Sequence, residues 1–210
     1  MVRTWIADIR CLLEDSCYAR YYEQLPDFRR EKAKRIRDPL KRAQSVGVWA
    51  LWEEIKNKYS LTQDNICNFS HSGFYVLCAA ETERDRGVQV GCDIESVKPV
   101  NLKLALRFFC PLEYEKIKAV QDKEEQEELF CRYWVCKESF IKAVRRGMGL
   151  PMNTFEIQLE GRPRLARQPE EFRDTYYFCE YRIEDGPYRM AVCSTQSQID
   201  SKIQTEFKLG

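Results

Sequence analysis

Apolar residues recur along the chain in two rhythms, the alternation of strands and the three-and-four spacing of helices. The run 2–9 (Val-Arg-Thr-Trp-Ile-Ala-Asp-Ile) predicts a first strand, and residues 14–25 follow as helical territory. Asp38-Pro39 reads as an N-cap with Pro at the first helical position. Behind it Leu40, Ala43, Val46, Gly47, Ala50, Leu51 and Ile55 lie on one face of a second helix. Short strands are expected at 66–69, 74–79 and 88–95. The last two would join through the turn Glu83-Arg84-Asp85-Arg86-Gly87 as a meander. Beyond Pro99 the pattern is helical again: Asn101 to Phe109, a helix opened by Cys110-Pro111, and a longer one that starts in the charged stretch 121–128. That last helix turns apolar through Leu129, Phe130, Tyr133, Trp134, Ile141 and Val144. Strands are predicted at 154–159, 176–183 and 188–194, the last two joined at Glu184-Asp185-Gly186-Pro187, with a polar tail after Thr195 expected to fray. Each half runs through helices and finishes on antiparallel strands. The pattern therefore implies an α+β protein of two similar lobes, 1–98 and 99–210, with a cleft between them.

Composition narrows the class. A hydrophobic fraction of 44% and a charged fraction of 32% describe an ordinary soluble protein, with no apolar run long enough to span a membrane. The first residues lack the apolar core of a secretory signal, which places the protein in the cytoplasm. Ten cysteines without a Cys-x-x-Cys pair suit small core hydrophobes better than disulfides or zinc ligands. A net charge of +1 gives no global attraction to nucleic acid, so any anion site has to be local.

Four places carry candidate chemistry. Asp93 and Glu95 end the strand 88–95; alternate residues share a face about 6.6 Å apart, and two acids so placed repel each other unless a cation sits between them or solvent bathes both. Arg29, Arg30, Lys32, Lys34, Arg35, Arg37, Lys41 and Arg42 form a basic segment that is either a solvated helix face or a phosphate-binding patch. Lys41 and Arg42 fall near a helix N-terminus, itself favourable to anions. His71, the single histidine of the chain, stands between Ser70 and Ser72 at a strand-end turn before Gly73, as a structural residue or a functional one. Glu138 and Lys142 are one helical turn apart among large apolar residues, as a simple ion pair of about 0.2–0.5 kcal/mol or as charges awaiting a ligand.

Three of these pieces, Ser70-His71-Ser72, Gly91-Cys92-Asp93-Ile94-Glu95 and Trp134-Val135-Cys136-Lys137-Glu138-Ser139-Phe140-Ile141-Lys142, stand in one order on one chain. Together they resemble the Sfp-type 4'-phosphopantetheinyl transferases, with their Gly-x-Asp-x-Glu strand and later Trp-x-x-Lys-Glu-Ser-x-x-Lys helix. The likeness extends from Arg30-Glu31-Lys32 through Arg107-Phe108-Phe109 and Glu113-Tyr114 to Gly149-Leu150-Pro151. It implies two pseudo-symmetric α+β halves holding coenzyme A in the cleft between them. It also implies Mg²⁺-dependent transfer of the 4'-phosphopantetheine group to a serine of an acyl, peptidyl or polyketide carrier protein, releasing adenosine 3',5'-bisphosphate.

On that resemblance Asp93, Glu95 and Glu138 hold Mg²⁺ with a pyrophosphate oxygen, a hard-oxygen set suited to that ion. Lys142, with Lys137 on the same helix, is expected at the pyrophosphate. Ser70 and His71 would face the 3'-phosphate with Arg29, Lys32 and Arg42, and Glu113 would take the proton of the serine. The resemblance further implies a monomer. Residues 58–68 lack the Gly-Lys-Pro turn that many members carry, so the resemblance does not extend to the adenine contacts and some of the phosphate contacts. Two other classes stay open: a Mg²⁺-dependent phosphodiesterase or nuclease, and a non-catalytic module binding coenzyme A or a carrier protein. A shared metal further requires the helix over 129–144 to cross the strand 88–95.

Overall fold

The computed structural model describes residues 1–85, 87–183 and 186–209, with the side chain of Met148 not described. Arg86 of the expected turn at 83–87, and Glu184 and Asp185 of the expected turn at 184–187, lie outside the described residues.

The chain forms β1 (Val2–Asp8), α1 (Asp15–Glu23), α2 (Asp27–Lys34), α3 (Pro39–Tyr59), β2 (Cys67–Ser72) and β3 (Tyr75–Glu81). It continues through β4 (Val90–Ser96), α4 (Leu102–Phe108), α5 (Pro111–Ala119), α6 (Lys123–Ala143), β5 (Glu156–Gln158), β6 (Arg164–Arg167), β7 (Tyr177–Arg182) and β8 (Tyr188–Ser194). This is a mixed α+β fold of small antiparallel sheets packed on helices. One sheet has the order β1-β3-β2 and another β4-β8-β7, with β5-β6 a separate hairpin.

The two larger sheets repeat one plan. Each begins with a seven-residue strand, passes through a 21-residue helix, and returns as a hairpin whose second strand pairs with the first. The long helices start alike: Asp38 accepts the amide of Lys41 and Asp122 that of Glu125, each filling a free N–H of the first turn.

The expected meander of β3 with β4 does not form. β4 leaves the span 1–98 and pairs with β8 in full register, Asp93 opposite Ala191 and Glu95 opposite Arg189, whereas β3 pairs with β1 and β2. Nor does the tail fray. Val2 bridges Ile199 and Trp5 bridges Gln204 in parallel, through bonds such as Gln204 N–H to the Thr4 carbonyl at 2.8 Å, so the tail extends the first sheet beyond β1. Ile199 and Ile203 pack on apolar residues between the sheets, and Leu209 is buried among those of the first lobe.

Alternation sorts the strands. Val90, Cys92 and Ile94 of β4 face Val2, Ile6 and Leu77 in a core shared by both sheets, and Asp93 and Glu95 take the opposite face. On that face α6 crosses β4 at very close range. A Cβ on Gly91 would run into the Ser139 carbonyl and the backbone of Ala143, so glycine is what lets the helix in. All ten cysteines are free, and seven of them are buried.

Candidate active site

The crossing of α6 over β4 decides what the acids can meet. A cleft of about 350 Å³ is lined by Phe69, Ser70 and His71 of β2, Asp93 and Glu95 of β4, and Trp134, Glu138 and Lys142 of α6. Six of the residues singled out in the sequence thus come together from three elements. His71 sits in strand β2 rather than in the expected turn, and it lines the cleft.

Asp93 is the most enclosed of the acids. Its Oδ1 accepts from Ser70 Oγ at 2.8 Å and from the Lys142 ammonium at 2.7 Å, and its buried Oδ2 has no hydrogen-bond partner among the described residues. Glu95 Oε2 accepts from Ser72 Oγ at 3.0 Å. Burial, followed by repulsion from Asp93, pushes Glu95 and Glu138 above the ordinary carboxylate range. Burial pushes Asp93 up as well, against the pull of Lys142 and Ser70. Burial alone would lower Lys142, yet the Asp93 charge leaves its pKa raised. Desolvation, then the Lys142 charge, lowers His71, which favours the neutral imidazole.

A second cleft of about 470 Å³ adjoins the first at Phe69 and His71, and is lined besides by Arg29, Lys32, Ile36, Lys41, Gln44, Ser45 and Val48. Arg29 lies 4.3 Å over the Trp49 ring, burial lowers its pKa, and its buried Nε has no hydrogen-bond partner among the described residues. Arg42 lines neither cleft; its guanidinium sits 5.5 Å over the ring of Tyr18. Its neighbour Lys41 takes the position instead, because the cleft-facing stripe of α3 runs Lys41, Gln44, Ser45, Val48.

Two expected site residues lie elsewhere. Lys137 is fully buried, giving hydrogen bonds to the carbonyls of Met152 at 2.8 Å and Phe155 at 2.7 Å and pairing with Glu113 at 2.9 Å. Glu113 is 1% exposed and accepts from the amides of Cys110 and Ile157. Both side chains are committed to backbone of the second lobe and to each other, and neither lines either cleft. Successive residues on a helix point about a quarter-turn apart, which sends Lys137 into the core and Glu138 into the cleft.

Sequence reasoning missed Trp134 as a lining residue. Its ring borders the acidic cleft and two apolar grooves, one with Lys98, Leu104 and Phe130, the other with Arg107, Phe108 and Leu150. The signal was present, since Trp134, Glu138 and Lys142 follow one another at intervals of four.

Among the described residues no three metal-ligating side chains already stand close enough together to hold an ion. The donor set nevertheless fits Mg²⁺: three carboxylates line one cleft, each with a pKa raised by burial, and one buried oxygen of Asp93 lacks a partner.

The family described as the 4'-phosphopantetheinyl transferase superfamily matches residues 89–193, half of the chain, and the chain belongs to that superfamily. The matched span runs from β4 to β8 and so contains the acids and α6. The 4'-phosphopantetheinyl transferase Sfp of Bacillus subtilis is 35% identical over 136 residues, covering 65% of this chain and 58% of that protein. The 4'-phosphopantetheinyl transferase HetI of a Nostoc species is 41% identical over 94 residues, 44% of this chain and 37% of its own. The chain thus spans somewhat more than half the length of the first of these relatives. The solved structure of Thermotoga maritima holo-acyl-carrier-protein synthase is 21% identical, covers 50% of this chain and 61% of that one, and aligns with a TM-score of 0.43.

Proposed function

We propose that this protein transfers the 4'-phosphopantetheine group of coenzyme A to a serine of an acyl, peptidyl or polyketide carrier protein, with Mg²⁺, releasing adenosine 3',5'-bisphosphate. The observation that carries this is the junction of the two clefts: three acids and a lysine in one, and Arg29, Lys32 and Lys41 in the next, with His71 common to both. A ligand with a diphosphate and a separate phosphate monoester has just these two needs. The basic cleft would seat the 3'-phosphate through charge-assisted bonds.

Asp93, Glu95 and Glu138 would hold the metal. Bound there, Mg²⁺ supplies a countercharge for the diphosphate as negative charge grows on the departing bisphosphate. Lys142 stands ready to exchange its bond to Asp93 for one to the diphosphate, a cation carried on the rigid helix that also presents Glu138. The serine proton passes to a carboxylate of the cleft. Glu138 is our candidate, because it lines both the acidic cleft and the groove of Arg107 and Phe108. Glu113 and Lys137 have no part in this chemistry and hold the frame behind it.

The two spans 1–98 and 99–210 act in this proposal as one unit, with β4 of the first built into the second sheet. We place the protein in the cytoplasm as a monomer. Among the described residues no helix is long and apolar enough to cross a membrane.

The test is mass spectrometry of an apo carrier protein incubated with the full chain, coenzyme A and Mg²⁺. The expected result is a mass gain of one phosphopantetheine group at the carrier serine, absent without Mg²⁺. No gain on fatty acid, polyketide and nonribosomal peptide carriers alike would overturn the proposal.

A further inference from the structure

β2 and β4 belong to different sheets, and side chains tie them together where the lobes meet. Asn68, Ser70 and Ser72 are alternate residues of β2 and project on one face. Asn68 Oδ1 accepts the amide of Cys92 at 3.0 Å, Ser70 gives its proton to Asp93, and Ser72 gives its proton to Glu95. The ladder therefore runs from one sheet onto the acids of the other.

Ser72 differs from an ordinary surface serine in two ways. It is 7% exposed, so its hydroxyl has few alternative partners. It also accepts the amide of Ser96 at 3.2 Å. A hydroxyl has a single proton, and with the Ser96 amide filling one acceptor position that proton is left for Glu95 Oε2. The bond fixes one oxygen of a flexible side chain near the end of a strand, where loss of rotamer freedom would otherwise be charged to ligand binding. Asp93 is already held by Ser70 and Lys142, and Ser72 does the same for the second acid.

We propose that Ser72 is a positioning residue for the metal site: it orients Glu95 across the lobe junction so that its other oxygen meets the ion. This rests on the reading of Asp93, Glu95 and Glu138 as metal ligands. Ser72 itself touches neither metal nor coenzyme A.

The experiment titrates Mn²⁺ into the full chain with coenzyme A present and counts free ion by electron paramagnetic resonance. Ser72→Ala is expected to weaken Mn²⁺ binding about tenfold, the lower range for groups that orient metal ligands. Ser72→Thr, which keeps the hydroxyl, should stay within about threefold of the parent, a small fraction of the range for such groups. Affinity for coenzyme A without metal should not change in either variant. Three results overturn the inference while leaving the metal site standing: Ser72→Ala binding Mn²⁺ as tightly as the parent, Ser72→Thr losing as much as Ser72→Ala, or metal-free coenzyme A affinity falling in step. If instead the parent and Asp93→Ala bind Mn²⁺ equally, the acids are not a metal site and both readings fail.

Discussion

The two lobes use one plan for different ends, and the difference is concentrated at matching positions. The fourth and sixth residues of β1 are Trp5 and Ala7, buried against α3 and its neighbours in an apolar core. The fourth and sixth residues of β4 are Asp93 and Glu95, facing α6. The second residues contrast as well: Arg3 lies over the ring of Tyr59, whereas Gly91 leaves room for the backbone of α6. The fifteenth residue of each long helix is Glu53 in α3, paired with Lys56 near solvent, and Lys137 in α6, paired with Glu113 in the core. Sheet order is thus indifferent to chemistry. One lobe uses its helix-facing positions for packing, and the other encloses charge in a cleft.

The sharpest way to test that contrast is at the fifteenth helix position. Removing one partner of a buried pair leaves the other uncompensated, so Lys137→Met should cost about 3–5 kcal/mol in urea denaturation. Glu53→Ala should cost about 0.5 kcal/mol or less. Glu113→Gln should likewise lose stability while the kcat of the protein that remains folded is near the parent's. A large selective loss of kcat at unchanged stability would return Glu113 to the cleft.

Next come the fourth strand positions. Asp93→Ala should cut transfer to a carrier by more than about 100-fold while the protein stays folded, in line with loss of preorganised electrostatic stabilisation. Trp5→Phe should leave transfer per folded molecule unchanged. Gly91→Ala should then cost about 1–3 kcal/mol by overpacking and lower metal affinity too, because α6 has to move off β4.

The smallest effect concerns pH. Burial and repulsion from Asp93 hold Glu95 and Glu138 above the ordinary carboxylate range, and burial holds Asp93 there. A folded state that binds protons more tightly than the unfolded chain gains stability as pH falls through those raised values and loses it as the acids ionise. Without metal, Glu138→Gln should therefore melt above the parent near pH 7, a gain that shrinks as the pH is lowered. With Mg²⁺ and coenzyme A the order should invert. A metal-free variant that melts lower than its parent would show that the acids are not in conflict.

Much of the site was legible because it is local. Alternation put Asp93 and Glu95 on one face, a four-residue interval aligned Glu138 with Lys142, and Asp38 with Pro39 announced α3. Partner choice was not. β3 and β4 are neighbours in sequence and read as a hairpin, yet β4 pairs with a strand made roughly a hundred residues later, and no local pattern encodes a pairing at that distance. The tail misled because its polar residues outnumber Ile199, Ile203, Phe207 and Leu209, which are the ones that dock. Lys137 and Glu113 were misplaced because an ionisable side chain is ordinarily at a surface or a site, and only the third dimension shows the carbonyls and amides that satisfy this pair in the core.

The docking of residues 198–204 beside β1 has a consequence for how the molecule is made. β1 is made well before its outer neighbour, because nearly all of the described residues lie between them. Until that neighbour emerges, the nascent first lobe carries an unpaired strand edge, the kind that recruits other chains. The strand edge of β1 is therefore covered only after residues 198–204 have been made, however early β1 itself folds.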